Sequence, residues 1–193
     1  MEWIRYSSGI RKLKFDLAPR RNWPMQLILL IGPTGVGKSR AAAEWCEEQG
    51  KIAYWKDGTK WWDRYEGEEV VIWDEFYGHC CKFTDLLRIT DRYPFQVETK
   101  GGYVEFTSKI IIFTSNQEPS DWYDGEKTHQ PDWERNPLNR RIQEFGVTRY
   151  FTDSPVREPH PLYQDSDQLV VGGDEDLMAR AMEVEREVRE GEN

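Results

Sequence analysis

Gly32, Pro33, Thr34, Gly35, Val36, Gly37, Lys38 and Ser39 follow the apolar run 27–31 and lead into an alanine-rich stretch. Glycine, four residues, then Gly-Lys-Ser is the spacing of a phosphate-binding loop, here in the strand-to-helix setting that the chemistry requires. The glycines let backbone N–H groups turn inward around phosphate oxygens, where a Cβ would obstruct them. Lys38 can reach β- and γ-phosphates, Ser39 can offer its hydroxyl to Mg²⁺, and the following helix points its positive end at the anion. A nucleoside triphosphate is the ligand this loop predicts. The loop alone does not say what the triphosphate is used for.

Asp74 and Glu75 close the apolar run Val70-Val71-Ile72-Trp73, 36 residues beyond Lys38. A strand end of this kind delivers Asp74 to Mg²⁺ and sets Glu75 to polarise an attacking water, a general-base role. A carboxylate pair after a strand also serves as a turn or capping device; beside a phosphate loop the metal-and-base reading is preferred. Asn116 ends the isoleucine-rich run 110–115. On a strand beside that of Asp74 it could hold a water near the γ-phosphate, and equally it could be a plain turn residue.

Lys100-Gly101-Gly102 would put one cation at a hairpin tip, able to grip a nucleic-acid backbone, although surface lysines at turns are commonly only solubilising. Arg140 and Arg141 sit in a stretch whose apolar positions are Leu138, Ile142 and Phe145. At 100° per residue Arg140 points away from that face and Arg141 flanks it. If either reaches a neighbouring subunit's phosphate as an arginine finger, Arg140 is the better placed; a solvated basic pair is the alternative. The aromatic cluster at Trp61, Trp62 and Tyr65 reads as packing rather than base stacking. His79, Cys80 and Cys81 are too close in sequence for one chain to wrap a tetrahedral metal.

These groups need a scaffold, and the hydrophobic pattern describes one. Strands are expected at 26–31, 52–55, 70–74, 109–115 and 146–151, with helices at 38–49, 84–92 (capped by Thr84) and 138–145. Residues 95–107 alternate on both sides of the glycine turn, as a β-hairpin does. Residues 117–136 read as irregular. Alternating strands and helices predict an α/β domain with a mainly parallel sheet.

At 193 residues one principal domain is expected. The net charge of −9 is uneven: residues 151–193 hold 12 acidic and 4 basic residues, leaving 23 and 22 in residues 1–150. Overall charge therefore neither supports nor excludes a nucleic-acid partner. The acidic tail could end in an amphipathic helix over 174–190 or be loose throughout. No apolar run reaches 18 residues and no signal-peptide core opens the chain, so an intracellular, reducing setting is expected for its three cysteines.

Several ordered motifs carry a resemblance. Gly-Pro-Thr-Gly-Val-Gly-Lys-Ser, Tyr54-Trp-Lys, Lys60-Trp-Trp-Asp, Val-Val-Ile-Trp-Asp-Glu-Phe-Tyr-Gly, Asp91-Arg-Tyr-Pro, Val97-Glu-Thr-Lys-Gly-Gly and Phe113-Thr-Ser-Asn appear in that order. Over residues 5–150 the chain resembles the helicase domain of replication initiators of small circular single-stranded DNA viruses, circoviruses and nanoviruses among them. The resemblance implies a P-loop NTPase of the AAA+ type, a superfamily 3 helicase. It implies a homo-oligomeric ring, usually a hexamer, that hydrolyses ATP with Mg²⁺ while moving along single-stranded DNA in the host nucleus. On that pattern Gly32 to Ser39 are Walker A, Asp74 and Glu75 Walker B, Lys100 the pore hairpin with Gly101 and Gly102, Asn116 the motif C sensor, and Arg140 or Arg141 the finger.

It also implies an oligomerisation segment at 1–24, an ATPase domain at 25–152 and an unplaced acidic tail at 153–193. The family's nuclease motif does not precede residue 25, so no nicking by this chain is expected, and a nuclease domain would belong to the longer protein. Two other readings remain at this stage. A P-loop kinase on a small acceptor would leave Glu75, the hairpin and the arginines without purpose. A nucleotide-gated assembly module would hydrolyse slowly or not at all.

Overall fold

The computed structural model describes residues 19–123 and 132–152, with isolated positions at 9, 13 and 17. Most of the expected oligomerisation segment at 1–24 and the acidic tail, with its alternative helix at 174–190, lie outside the described residues.

Five strands form one parallel sheet in the order β2-β3-β6-β1-β7. They are β1 (Gln26–Ile31), β2 (Ala53–Lys56), β3 (Val70–Trp73), β6 (Ile110–Ser115) and β7 (Gly146–Tyr150). The central three are buried along their whole length because both sheet faces are covered, which is why they read as predominantly apolar runs. Alternation sorts their side chains into two cores. Ile28, Leu30, Val70, Ile72, Ile110 and Ile112 meet Ala41, Ala42 and Cys46 of helix α1 (Lys38–Glu48). Leu27, Leu29, Val71, Trp73, Ile111 and Phe113 face a larger, aromatic core that includes Trp62, Tyr65, Phe76 and Phe106. Trp62 and Tyr65 are thus packing residues, with Trp62 against Tyr65, Trp73 and Phe106.

The order β3-β6-β1 decides the function of the edge. Each of the three strands ends at the same rim, and each is followed at once by candidate chemistry: Gly32 after β1, Asp74 after β3, Asn116 after β6. Ligands in open parallel sheets bind outside such carboxyl ends.

The hairpin forms where expected, with a turn of Lys100 and Gly101 alone, since Gly102 already belongs to the second strand. β4 (Gln96–Thr99) and β5 (Gly102–Glu105) pair antiparallel with Thr99 opposite Gly102, as a separate two-stranded sheet. Val97 is buried, whereas the tip is exposed.

One helix differs from expectation at both ends. Helix α2 spans Phe83–Ile89, and its N-cap is Lys82 rather than Thr84. The Lys82 carbonyl already accepts from the N–H groups of Asp85 and Leu86, so the first turn precedes Thr84. At the far end Arg21 stops the helix short of Arg92. Its guanidinium donates to the carbonyls of Arg88, Ile89 and Tyr93 at 2.7, 2.6 and 2.9 Å. A cation satisfying helix-terminal carbonyls is a favourable cap. Burial pushes the Arg21 pKa down to about 10, partly offset by Asp91. Arg21 and Trp23, whose indole donates to Ser108, are therefore docked onto the body although they precede the expected boundary at 24. Other strand ends shift by one residue, within the fraying of such boundaries. Helix α3 (Pro137–Phe145) is capped by the Asn136 side chain at Leu138.

Candidate active site

Gly37 stands in the left-handed region at φ 94° and caps α1 without a side chain, which turns the loop from β1 into the helix. Gly32 answers a different demand: a Cβ there would collide with the Phe151 carbonyl just beyond β7. The loop is thus held against the sheet by a residue more than a hundred positions away.

Lys38 is buried, with its ammonium turned into the site. Nζ donates to the carbonyls of Gly32 and Pro33 at 2.7 and 2.6 Å and to Asn116 Oδ1 at 2.9 Å. Asn116 in turn donates from Nδ2 to Thr34 Oγ1 at 3.0 Å. Burial lowers the Lys38 pKa, while Asp74 and Glu75 oppose that shift. Asn116 therefore bridges the two halves of the loop rather than ending a plain turn.

The second cluster joins the loop to the carboxylates. Ser39 Oγ donates to Asp74 Oδ1 at 2.5 Å. The same oxygen accepts from Thr114 Oγ1 at 2.7 Å. Thr114 Oγ1 also accepts the Glu75 backbone N–H at 2.8 Å. Glu75 is exposed and adopts φ 50°, the left-handed region that non-glycine residues rarely occupy. Its neighbours impose that turn. The Phe76 N–H is held by the Thr114 carbonyl at 2.7 Å, and the Phe76 ring packs against Phe113 and Trp122. Strain at Glu75 is thereby balanced by an anchored Phe76 on one side and a buried strand on the other.

Thr114 is the functional residue that the sequence reading missed. The signal was a pair of hydroxyls, Thr114 and Ser115, closing an apolar strand: Thr114 is fully buried, and both of its side-chain bonds go to the carboxylate turn. Thr114→Val keeps the shape and removes both bonds, so ATP turnover should fall about 10- to 100-fold, the usual cost of losing a supporting partner. Thr114→Ser should retain most of the activity. Steady-state turnover across a Mg²⁺ titration checks both.

The residues present fit Mg²⁺ and a triphosphate. Ser39 and Asp74 already share one point in space and offer the hard oxygen ligands that Mg²⁺ prefers. An ion bound through one or two protein oxygens plus phosphates is the usual arrangement for Mg²⁺. A Cβ at Gly35 would meet open space, as a cradle for a ligand must offer.

The remaining candidates stand apart from this cluster. Lys100 is at the hairpin tip with its side chain 72% exposed, beside exposed Gly101 and Gly102. Of the two arginines, Arg141 is committed internally. It bonds Asp91 Oδ2 at 2.7 Å and the Pro137 carbonyl at 3.2 Å, with 11% of its side chain exposed. Against the effect of burial, Arg141 holds the Asp91 carboxyl below its usual range. Arg140 is exposed on the outer face of α3. At the other sequence cluster, His79 is exposed and Cys80 buried, and burial pushes the Cys81 thiol up to about 12.

A family model described as RNA helicase matches residues 28–117. The replication-associated protein of Porcine circovirus 2 is 49% identical over 140 residues, covering 72% of this chain and 42% of that protein. That of Pigeon circovirus is 44% identical over 156 residues, 79% of this chain and 46% of that protein. That of Goose circovirus is 41% identical over 144 residues, 74% and 46%. The chain spans about half the length of the curated relatives it matches.

Proposed function

We propose, from the premise that the chain carries a superfamily 3 helicase domain like that of circovirus replication-associated proteins, that it is the ATP-driven motor of viral DNA replication. Copies assemble into a ring, hydrolyse ATP at their interfaces and move along single-stranded DNA. The observation that carries this reading is the convergence of three strand ends on one site: Lys38 on Asn116, and Ser39 and Thr114 on Asp74. A small-acceptor kinase has no need of Glu75 held at a strained turn beside that site.

Each residue has a derivable task. Lys38 would exchange its carbonyl partners for β- and γ-phosphate oxygens, a better match for a buried ammonium. Glu75, exposed and with its backbone N–H held by Thr114, takes the proton of an attacking water. Asn116 positions that water, its amide already set between Lys38 and Thr34. Ser39 and Asp74 would hold Mg²⁺, which when bound would supply charge stabilisation for the phosphate oxygens. Arg140, outward on α3, completes the site of the next copy, and Lys100 holds the strand backbone. Binding of DNA through Lys100 should be indifferent to base sequence and weaken with salt.

ATP turnover with and without single-stranded DNA, together with native mass spectrometry with and without ATP, tests this. The expected result is DNA-stimulated hydrolysis by an ATP-favoured ring, abolished by Lys38→Ala. A monomer under all conditions, or turnover that ignores DNA, would overturn the motor reading.

A further inference from the structure

The Lys60-Trp61-Trp62-Asp63 segment has no part in the nucleotide site, yet it runs to the hairpin. The Trp62 N–H donates to the Glu98 carbonyl on β4 at 2.9 Å, and Lys60 pairs with the Glu98 side chain at 3.2 Å. Trp62 is buried and stacked on Tyr54 of β2, with ring centroids 5.7 Å apart. The Tyr54 hydroxyl donates to the Asp63 carbonyl at 3.0 Å. Asp63 is therefore fixed from the sheet side by β2, the strand paired with β3.

From that fixed point its carboxylate makes two different contacts with one residue. Oδ1 accepts the Lys100 backbone N–H at 2.8 Å, and Oδ2 lies 3.4 Å from Lys100 Nζ. The first contact sets the course of the hairpin tip. The second places a negative charge against the cation assigned to the strand. Both side chains are partly open to water, at 72% for Lys100 and 38% for Asp63, so a phosphate can reach the ammonium without unfolding anything.

We propose that Asp63 is a positioning residue for the strand-binding tip. Oδ1 holds the backbone of Lys100 in place, and Oδ2 competes with DNA phosphate for its ammonium. This rests on the hairpin reading of Lys100 given above. The pair keeps the tip ordered when no strand is present and yields when a phosphate offers a stronger partner. It also ties affinity for DNA to a segment anchored on the sheet whose strand β3 ends at Asp74. An exposed pair of this kind restrains its cation by up to about fivefold in affinity.

The test is fluorescence anisotropy of a labelled oligo-dT strand with the full chain and its variants. Asp63→Asn keeps an acceptor at Oδ1 and removes the competing charge. It should bind the strand up to about fivefold more tightly at low salt, with the gain shrinking as salt screens the pair. In a Lys100→Ala background the same substitution should change nothing. Asp63→Ala, which also releases the tip backbone, should gain less than Asp63→Asn. Unchanged or weaker binding by Asp63→Asn, or a gain that survives without Lys100, overturns the competition. Equal gains from Ala and Asn overturn the positioning by Oδ1. If Lys100→Ala binds as tightly as the parent chain, the hairpin reading itself fails. If Lys100→Ala weakens binding while Asp63→Asn does not tighten it, only the role of Asp63 fails.

Discussion

Arg140→Ala should lose about 10³- to 10⁵-fold in ATP turnover, the worth of an arginine that stabilises charge on a transferring phosphoryl group. The substitution touches an exposed position on α3, so folding should be unaffected. The decisive observation is a mixture. Lys38→Ala protomers keep Arg140, and Arg140→Ala protomers keep Lys38. If the arginine acts on a neighbouring copy, an equal mixture of two dead variants regains activity. Random mixing makes about one interface in four complete, with an intact loop facing an intact arginine. An arginine acting within its own chain leaves every site of the mixture defective. A mixture that stays inactive would therefore remove the shared-site assignment. Arg141→Ala should behave differently, because its guanidinium is spent on Asp91 and Pro137.

Glu75→Gln should lower hydrolysis about 10²- to 10⁴-fold, the usual contribution of a positioned general base. Glutamine matches glutamate in size and keeps the backbone N–H that Thr114 accepts, so the turn at φ 50° should persist. Nucleotide affinity should be kept or improved, since a negative charge near the phosphates disappears. Single-turnover hydrolysis beside equilibrium binding of a fluorescent ATP analogue separates the two effects. Turnover within a few-fold of the parent would mean that another group takes the proton. Loss of binding along with turnover would mean that Glu75 serves the structure of the turn instead.

Much of this site was legible in the chain itself. The loop from Gly32 to Ser39 could be read because glycine conformation and strand-to-helix context are local. β1 could be read to the residue, for a strand buried on both faces must be continuously apolar. The hairpin was equally plain, since alternation and a glycine turn mark it, although Gly102 joins the second strand rather than the turn. Helix α2 was misjudged at both ends, the first by one turn-forming carbonyl and the second because its boundary is not local. Lys82 carbonyl bonds start it, and Arg21, 67 positions from Arg88, ends it.

Local pattern was enough for the parts: a triphosphate loop, a carboxylate pair at a strand end, an asparagine after an isoleucine-rich strand, and a lysine at a hairpin tip. Tertiary structure alone decided how the parts meet. Inserting β6 between β1 and β3 brings Asn116 to Lys38 across 78 positions and Thr114 to Asp74 across 40. It leaves Arg140 outward and spends Arg141 on Asp91, and it sets Asp63 against Lys100. The reason is physical. Period and glycine content report the conformation of a segment, whereas strand order follows from packing two hydrophobic cores, to which every segment contributes at once.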